Sequence, residues 1–228
     1  MANKEEQAYL DLMKETLDSD DLDDRTGVGV YANFGCSLDF TLVGNTVPLI
    51  TTKKMAKNSV INELALFCRG NTDTNWLSER KCFIWEANTR RAVLDKLDLI
   101  HLKEGDMGKL YPHQWRHYGK TSDKPGIDQL AEVIRLIKED PTSRRIIINS
   151  WNTSDLKEMC LSPCHPLVQF YVNPKKQELS CMFVSRSMDA FLGASFNIFS
   201  YALLTHLIAD ITNLKAKKLT AHIGNFHI

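Results

Sequence analysis

One cysteine in this sequence has the neighbours that a reactive thiol requires. Cys164 stands in "SPCHP", directly before an apolar run typical of a strand. A thiol is nucleophilic only as the thiolate, which a nearby cation stabilises. Arg144, Arg145 and Arg186 flank this strand in sequence, and in a layer of three strands their guanidinium groups would converge near the thiol. The pattern predicts a nucleophile beside an anion site; the alternative is a packed cysteine with solvated arginines.

Composition limits the classes of protein that fit. The 228 residues are 43% hydrophobic, with 28 basic and 28 acidic side chains, so any anion site depends on local arginines rather than overall charge. No apolar leader opens the chain, and no apolar run reaches the roughly 20 residues of a membrane span. We expect a cytoplasmic protein with no membrane contact, no required nucleic acid, no bound metal, and reduced cysteines without a disulfide framework.

Hydrophobic periodicity predicts an α+β fold in a single domain over residues 1–228. Helical spacing covers residues 5–17, 58–69 and 127–140, and Gly70 is placed to end the second of these helices. Residues 196–211 are apolar on almost every side, which predicts a buried central helix. Strand patterns cover residues 28–42, 144–152, 166–173, 178–186 and 218–228, whereas residues 71–126 are predicted to be irregular.

Seven strings, taken in order along the chain, resemble the thymidylate synthase family. The resemblance runs from about residue 5 to the last residue. The strings are "DRTG" (24–27), "PLITTKK" (48–54), "DPTSRR" (140–145), "PCH" (163–165), "QFYV" (169–172), "SRSMDAFLG" (185–193) and "FNIFSYALLTH" (196–206).

The resemblance implies reductive methylation of deoxyuridine monophosphate (dUMP), with 5,10-methylenetetrahydrofolate as co-substrate. Cys164 matches the family's nucleophile, which adds to C6 of the uracil ring. The residues that match the phosphate site are Arg25, Arg186 and Ser187 from one subunit, with Arg144 and Arg145 from the other. The resemblance therefore implies a homodimer, formed through a face of a mixed β-sheet.

Three further residues match contacts to the nucleotide. Asn197 matches the residue that selects the base: its amide donates to O4 and accepts from N3–H of uracil, and cytosine reverses both polarities. The alternative is that Asn197 caps a helix N-terminus. His165 follows the nucleophile, and His227 matches a histidine that bonds the sugar.

Proton transfer and folate binding are assigned by the same resemblance. Glu63 matches a buried acid–base glutamate, with a structural ion pair as the alternative, and Tyr111 matches a tyrosine that assists removal of the C5 proton. Arg186 and Asp189 complete the catalytic set. The folate site matches Ile84, Trp85, Asp189, Leu192, Gly193 and Phe196.

The sequence also departs from the family pattern, and the departures keep alternatives open. Ala56, Asn88, Pro112 and Pro166 differ from the residues usual at those positions, and the chain ends at "GNFHI", where family members continue into a mobile tail. We expect a fragment, a split gene product, or a chain whose partner supplies that segment. A deoxyuridylate hydroxymethylase and a non-catalytic nucleotide-binding module are the alternatives. Trp85, which shields the reacting carbon in the family, favours methylation.

Overall fold

A computed structural model describes residues 3–23 and 27–228. The helices are α1 (Lys4–Leu17), α2 (Lys57–Arg69), α3 (Asn75–Ser78), α4 (Glu86–Thr89), α5 (Arg91–Lys96), α6 (Tyr111–His117), α7 (Gln129–Glu139) and α8 (Ala194–Ile211), with a 3₁₀ turn at Leu156–Glu158. The strands are β1 (Asp21–Leu22), β2 (Val30–Thr41), β3 (Ile147–Asn149), β4 (Leu167–Asn173), β5 (Glu178–Asp189) and β6 (Lys215–His227).

The chain forms two compact units. Of the described residues, the first contains 3–23, 27–55, 141–145 and 164–228, and the second contains 56–140 and 146–163. The first unit therefore holds every long strand and the longest helix, while the second is mostly helical.

The first unit is built on a mixed sheet in which its strands follow the order β1-β2-β6-β5-β4. The pair β5–β6 is parallel, and its neighbours pair in antiparallel fashion. Two parallel neighbours need a crossover of a dozen residues or more, which α8 supplies. Because β5 and β6 run the same way, their carboxyl ends share one edge of the sheet, where Asp189 lies opposite His227.

Helix α8 packs against β5 and β6. Its sequence is apolar nearly all round, and its buried residues include Ile198, Phe199, Tyr201 and Leu204. Among the described residues it is the one helix long and apolar enough to cross a membrane, but 61% of it is buried within the fold. A core helix meets the length and composition test equally well.

One aromatic side chain of helix α1 contacts the turn that follows β5 and the strand beside it. The Tyr9 hydroxyl donates to the carbonyl of Ala190 at 2.6 Å. Its ring meets Phe226 edge-on, with centroids 6.5 Å apart. Both contacts lie beside the turn that follows β5, so α1 supports the part of the unit that carries the predicted site residues.

Helices α2, α6 and α7 form the framework of the second unit. Helix α2 ends at Gly70, which takes the left-handed conformation at φ 69°. A Cβ at Gly70 would lie 2.9 Å from Cβ of Arg116. The Arg116 guanidinium donates two bonds to Asp128 (2.9 and 2.7 Å), and Asp128 caps the N-terminus of α7 through Ala131 N. The predicted stop at Gly70 is confirmed, and the segment predicted to be irregular contains short helices.

A buried hydroxyl at the start of α8 gives a stability prediction. Ser195 is 1% exposed, and its Oγ has no hydrogen-bond partner among the described residues. An unpaired buried hydroxyl keeps its desolvation cost, so Ser195→Ala is expected to raise the free energy of unfolding by about 1 kcal/mol. The melting temperature should rise by about 2–4 °C, as measured by calorimetry.

The matched control removes a hydroxyl that has a partner in the same helix. Thr205 Oγ1 donates to the carbonyl of Tyr201 at 2.7 Å, so Thr205→Val should lower the melting temperature. A Ser195→Ala protein that melts below the wild type would show that the Ser195 hydroxyl is satisfied after all.

Candidate active site

Cys164 lies in the bend that precedes β4 and is held there by β5. Its carbonyl accepts hydrogen bonds from Arg186 N at 2.8 Å and from Ser185 Oγ at 3.1 Å. Cys164 as a whole is half-buried. Both bonds are made by the backbone carbonyl, so they fix the main chain at Cys164.

The guanidinium predicted to lie near the thiol is present. Arg186 Nη2 is 4.0 Å from Cys164 Sγ, and the arginine side chain is otherwise exposed. A cation at this distance favours the thiolate. The interpretation of Cys164 as a merely packed cysteine is not supported by this geometry.

Close approach of β6 to Arg186 depends on a glycine. A Cβ at Gly224 would lie 3.1 Å from the carbonyl oxygen of Arg186. The Ser185 hydroxyl also lies 3.0 Å from the carbonyl of Ser187, so the backbone around Arg186 is fixed on both sides. Sequence reasoning did not select Gly224, which lies outside the seven strings, and it gave no role to Ser185, although Ser185 begins the string "SRSMDAFLG".

The turn after β5 is organised by Asp189. Its Oδ1 accepts from Phe191 N at 2.9 Å and from Leu192 N at 2.6 Å, which directs the chain into α8. The N-cap of α8 is Gly193, and Asn197 lies one turn inside, with its N–H bonded to the Gly193 carbonyl at 3.0 Å. The interpretation of Asn197 as a helix cap is therefore wrong. Within the described residues its side-chain amide has no hydrogen-bond partner and remains available to a ligand.

His165 is buried rather than presented to solvent. It is 9% exposed, and its Nδ1 lies 2.6 Å from the Tyr201 hydroxyl. Burial lowers the pKa of His165 to about 3, so the ring is neutral at physiological pH. The structure gives the imidazole an internal partner on α8, and its contact with a nucleotide stays a prediction.

His227 ends β6 at the same edge of the sheet. Its Nδ1 lies 2.8 Å from Oδ1 of Asn225, and its carbonyl accepts from Ala190 N at 2.7 Å. In the first unit the carboxyl ends of β5 and β6 thus bring Arg186, Ser187, Asp189 and His227 to one edge. The family resemblance assigned all four residues to the site, and their roles there stay predictions.

The remaining predicted residues of the first unit are more exposed. Arg144 and Arg145 are both exposed, and the Arg144 carbonyl accepts from Gln169 Nε2 on β4 at 3.2 Å. Leu192 is 66% exposed. Arg25 lies outside the described residues. The roles assigned to these residues stay predictions.

In the second unit, Glu63 on α2 is paired with an indole. Trp85 Nε1 donates to Glu63 Oε1 at 2.7 Å. Burial raises the pKa of Glu63 to about 7, although the bond from Trp85 acts in the opposite direction. The structural alternative for Glu63 was an ion pair, but among the described residues its partner is the neutral indole. A carboxyl with a pKa near 7 both gives and takes protons at physiological pH.

Tyr111 belongs to an aromatic cluster around Phe67. It is 1% exposed and stacks on Phe67 with ring centroids 5.0 Å apart, while the Trp85 ring meets it at 6.3 Å. Trp85 is 8% exposed, whereas its neighbour Ile84 is 37% exposed. The aromatic packing fixes the plane of Trp85 and so holds its N–H on Glu63.

One pattern was missed in the sequence. His113 and His117 stand four residues apart on α6, with ring centroids 6.0 Å apart. Burial lowers the pKa of His113 to about 4. Within residues 3–23 and 27–228, however, no group of three or more His, Cys, Asp or Glu side chains is arranged to hold a metal ion.

The fold and these residues define an α+β enzyme-like protein with a cysteine and an arginine at the edge of a mixed sheet. The family model for thymidylate synthase matches residues 7–228. The chain belongs to the thymidylate synthase family.

Individual relatives agree over nearly the whole chain. The thymidylate synthase of Agaricus bisporus is 44% identical over 237 residues, which covers 98% of this chain and 80% of the relative. That of Saccharomyces cerevisiae is 44% identical over 242 residues, covering 99% and 80%. The bifunctional dihydrofolate reductase-thymidylate synthase of Leishmania major is 42% identical and covers 99% of this chain but 45% of the longer relative.

Proposed function

We propose that this chain is a thymidylate synthase, which converts dUMP to dTMP with 5,10-methylenetetrahydrofolate and works as a cytoplasmic homodimer. The observation that carries the proposal is the 4.0 Å separation between Arg186 Nη2 and Cys164 Sγ. The arginine stabilises the sulfur anion, and its planar guanidinium is a group that suits a phosphate.

Cys164 acts as the nucleophile at C6 of the pyrimidine. Its Sγ forms a bond to C6, the C5–C6 π electrons move to C5, and C5 becomes the carbon nucleophile. This divides a substitution at an unreactive vinylic carbon into easier steps. The backbone bonds from Ser185 and Arg186 to the Cys164 carbonyl support this role, because they fix the main-chain position from which the thiol extends.

Asn197 selects uracil in this proposal. Its side-chain amide lies one turn inside α8 and has no hydrogen-bond partner within the described residues, so both its donor and its acceptor are open to a base. Cytosine would oppose donor to donor and acceptor to acceptor, leaving buried groups unpaired. His227 and Ser187, at the neighbouring strand ends, contact the sugar and the phosphate.

The folate supplies the one-carbon unit and the hydride when it is bound. Residues of the first unit suit such a ligand: Leu192 presents an exposed apolar surface directly beyond Asp189, a carboxylate able to accept from a ring N–H. Ile84, Trp85, Gly193 and Phe196 complete the set assigned to the folate. Glu63 and Tyr111 serve the proton transfers.

The homodimer supplies Arg144 and Arg145 to the phosphate of the other subunit. Two observations support this arrangement. Both arginines are exposed. On β4, Phe170 and Val172 are buried, so one face of the strand packs inside the fold. Tyr171 lies on the opposite face and is 65% exposed, which leaves a large aromatic side chain on the outer face for a second subunit to cover.

The experiment that tests the proposal measures tritium release from C5-labelled dUMP with folate, together with identification of the product, on the purified chain. Release with thymidylate as the product supports the synthase. Release with 5-hydroxymethyl-dUMP as the product would replace it with the hydroxymethylase. Nucleotide binding without release would favour a non-catalytic module.

A further inference from the structure

A buried carboxylate outside the assigned site makes an unusually complete set of hydrogen bonds. Glu6 Oε1 accepts from Thr51 N at 2.6 Å, from Thr52 N at 2.9 Å and from Thr52 Oγ1 at 3.2 Å, and Oε2 accepts from Thr51 Oγ1 at 2.8 Å. Glu6 lies in the first turn of α1 and is 8% exposed. One side chain therefore fixes two consecutive residues of the loop that leads to Lys53.

The ionised form of Glu6 suits these four hydrogen bonds. Burial alone would raise the pKa of Glu6, but the hydrogen bonds from Thr52 and Thr51 lower it below its usual value. The ionised carboxylate accepts every bond, and hydrogen bonds to a charged acceptor are stronger than neutral ones. An amide at this position would lose one oxygen acceptor.

The next residue carries the connection to the turn after β5. Lys53 Nζ donates to the carbonyl of Phe191 and lies over the rings of Phe191 and Phe196, 4.7 and 5.5 Å from their centroids. Phe191 N is in turn bonded to Asp189. The contacts thus run from α1 through the loop to the turn 189–193, and from there into the first turn of α8.

Two explanations of Glu6 differ in what they predict. A purely structural tie would fasten α1 to the loop, and its loss would lower stability without a specific effect on ligand binding. A positioning role would act through Lys53 on the turn that sets the position of Asn197. The direct contact of Lys53 with Phe191, two residues after Asp189, favours the second explanation.

We propose that Glu6 is a positioning residue, which holds Thr51 and Thr52 so that Lys53 fixes the turn 189–193 and with it the base-binding geometry of Asn197. This inference rests on the proposed function, because it takes Asn197 to bind the uracil of dUMP. It adds Glu6 of α1, which lies outside the seven strings in sequence but bonds two residues of "PLITTKK", to the determinants of nucleotide binding.

The experiment is a double-mutant cycle read by calorimetric titration with dUMP. Glu6→Gln and Lys53→Met should each weaken dUMP binding by about tenfold, the loss expected for charge-assisted bonds. The double variant should bind about as weakly as either single variant, because both act through one connection. Thr51→Val, which removes only one hydroxyl bond, gives a milder variant in case Glu6→Gln folds poorly.

Gly70→Ala is the matched control. It strains the left-handed C-cap of α2 in the second unit, so it should lower the melting temperature while dUMP affinity stays at the wild-type value. A loss of affinity in this control equal to that of Glu6→Gln would show that general destabilisation is sufficient, and would overturn the inference.

The remaining outcomes separate the inference from the function on which it rests. Wild-type affinity in Glu6→Gln, or strictly additive effects in the double variant, would overturn the positioning role alone. Failure of the wild-type chain to bind dUMP would remove the proposed function, and the inference with it.

Discussion

Cys164→Ala is expected to abolish turnover while dUMP binding remains. The variant lacks the atom that forms the bond to C6, and loss of a covalent nucleophile lowers kcat by about 10⁴-fold or more. Binding should survive, because Arg186, Ser187 and Asn197 are unchanged and the bonds to residue 164 from Ser185 and Arg186 use its backbone carbonyl. Tritium release measures the first quantity and calorimetric titration the second.

A second cysteine provides the control. Burial raises the pKa of Cys160 to about 12, so its thiol is protonated and unreactive at physiological pH. Cys160→Ala should keep its turnover and lose only some stability. Unchanged turnover in Cys164→Ala would remove the assigned nucleophile, and with it the mechanism proposed for the chain.

Periodicity was sufficient to predict most of the elements that carry the site. The apolar helix predicted at residues 196–211 is α8, which begins two residues earlier, and the strand patterns at 166–173 and 178–186 are β4 and β5. These patterns are local, because the burial of one face repeats at 3.6 or 2 residues. The parallel pairing of β5 with β6 joins strands that α8 separates in sequence, and no residue pattern in either strand predicts that pairing.

In the site, too, contacts between residues close in sequence were predicted and contacts between distant residues were missed. Cys164 and Arg186 were predicted to be neighbours from their positions about one strand in the sequence, and the structure places them 4.0 Å apart. Glu6 is separated from Thr51 by 45 residues, and a glutamate at the start of a helix is ordinarily explained by the helix dipole. Its four hydrogen bonds form because the loop at Thr51 and Thr52 packs against α1, and the sequence does not show that contact. Gly224 was missed for the same reason.

The interpretation of Asn197 shows why helix ends are hard to assign. An asparagine near the start of an apolar helix is a reasonable N-cap, but Asp189 already bonds the N–H groups of the preceding turn. The chain therefore enters α8 earlier, at Gly193. Asn197 is left inside the first turns with a free amide, which suits recognition rather than capping.

Glu63→Gln is expected to lower turnover and to raise stability above neutral pH. The variant cannot exchange a proton, and loss of a general acid–base group lowers kcat by about 10²–10⁴-fold. The amide keeps an oxygen that accepts from Trp85 Nε1, so the geometry of the pair should be retained. Tritium release at saturating dUMP measures the effect on turnover.

The stability effect has a defined pH dependence. The pKa of Glu63 is about 7 in the folded chain against 4.5 ordinarily, so the folded state binds the proton more tightly than the unfolded state. Stability from this group is full below pH 4.5 and is lost as the pH rises to about 7. Glutamine carries no charge, so Glu63→Gln should match the wild type near pH 4 and exceed it by roughly 3 kcal/mol at pH 8.

Denaturant titrations at both pH values, with Glu132→Gln for comparison, test this dependence. Hydrogen bonds from Arg135 lower the pKa of Glu132, so its substitution should give no gain in stability at pH 8. A Glu63→Gln protein with the same stability as the wild type at pH 8 would mean that the carboxylate is well solvated. The acid–base role would then lose its physical basis, because an ordinary glutamate is fully ionised at neutral pH and has no proton to give.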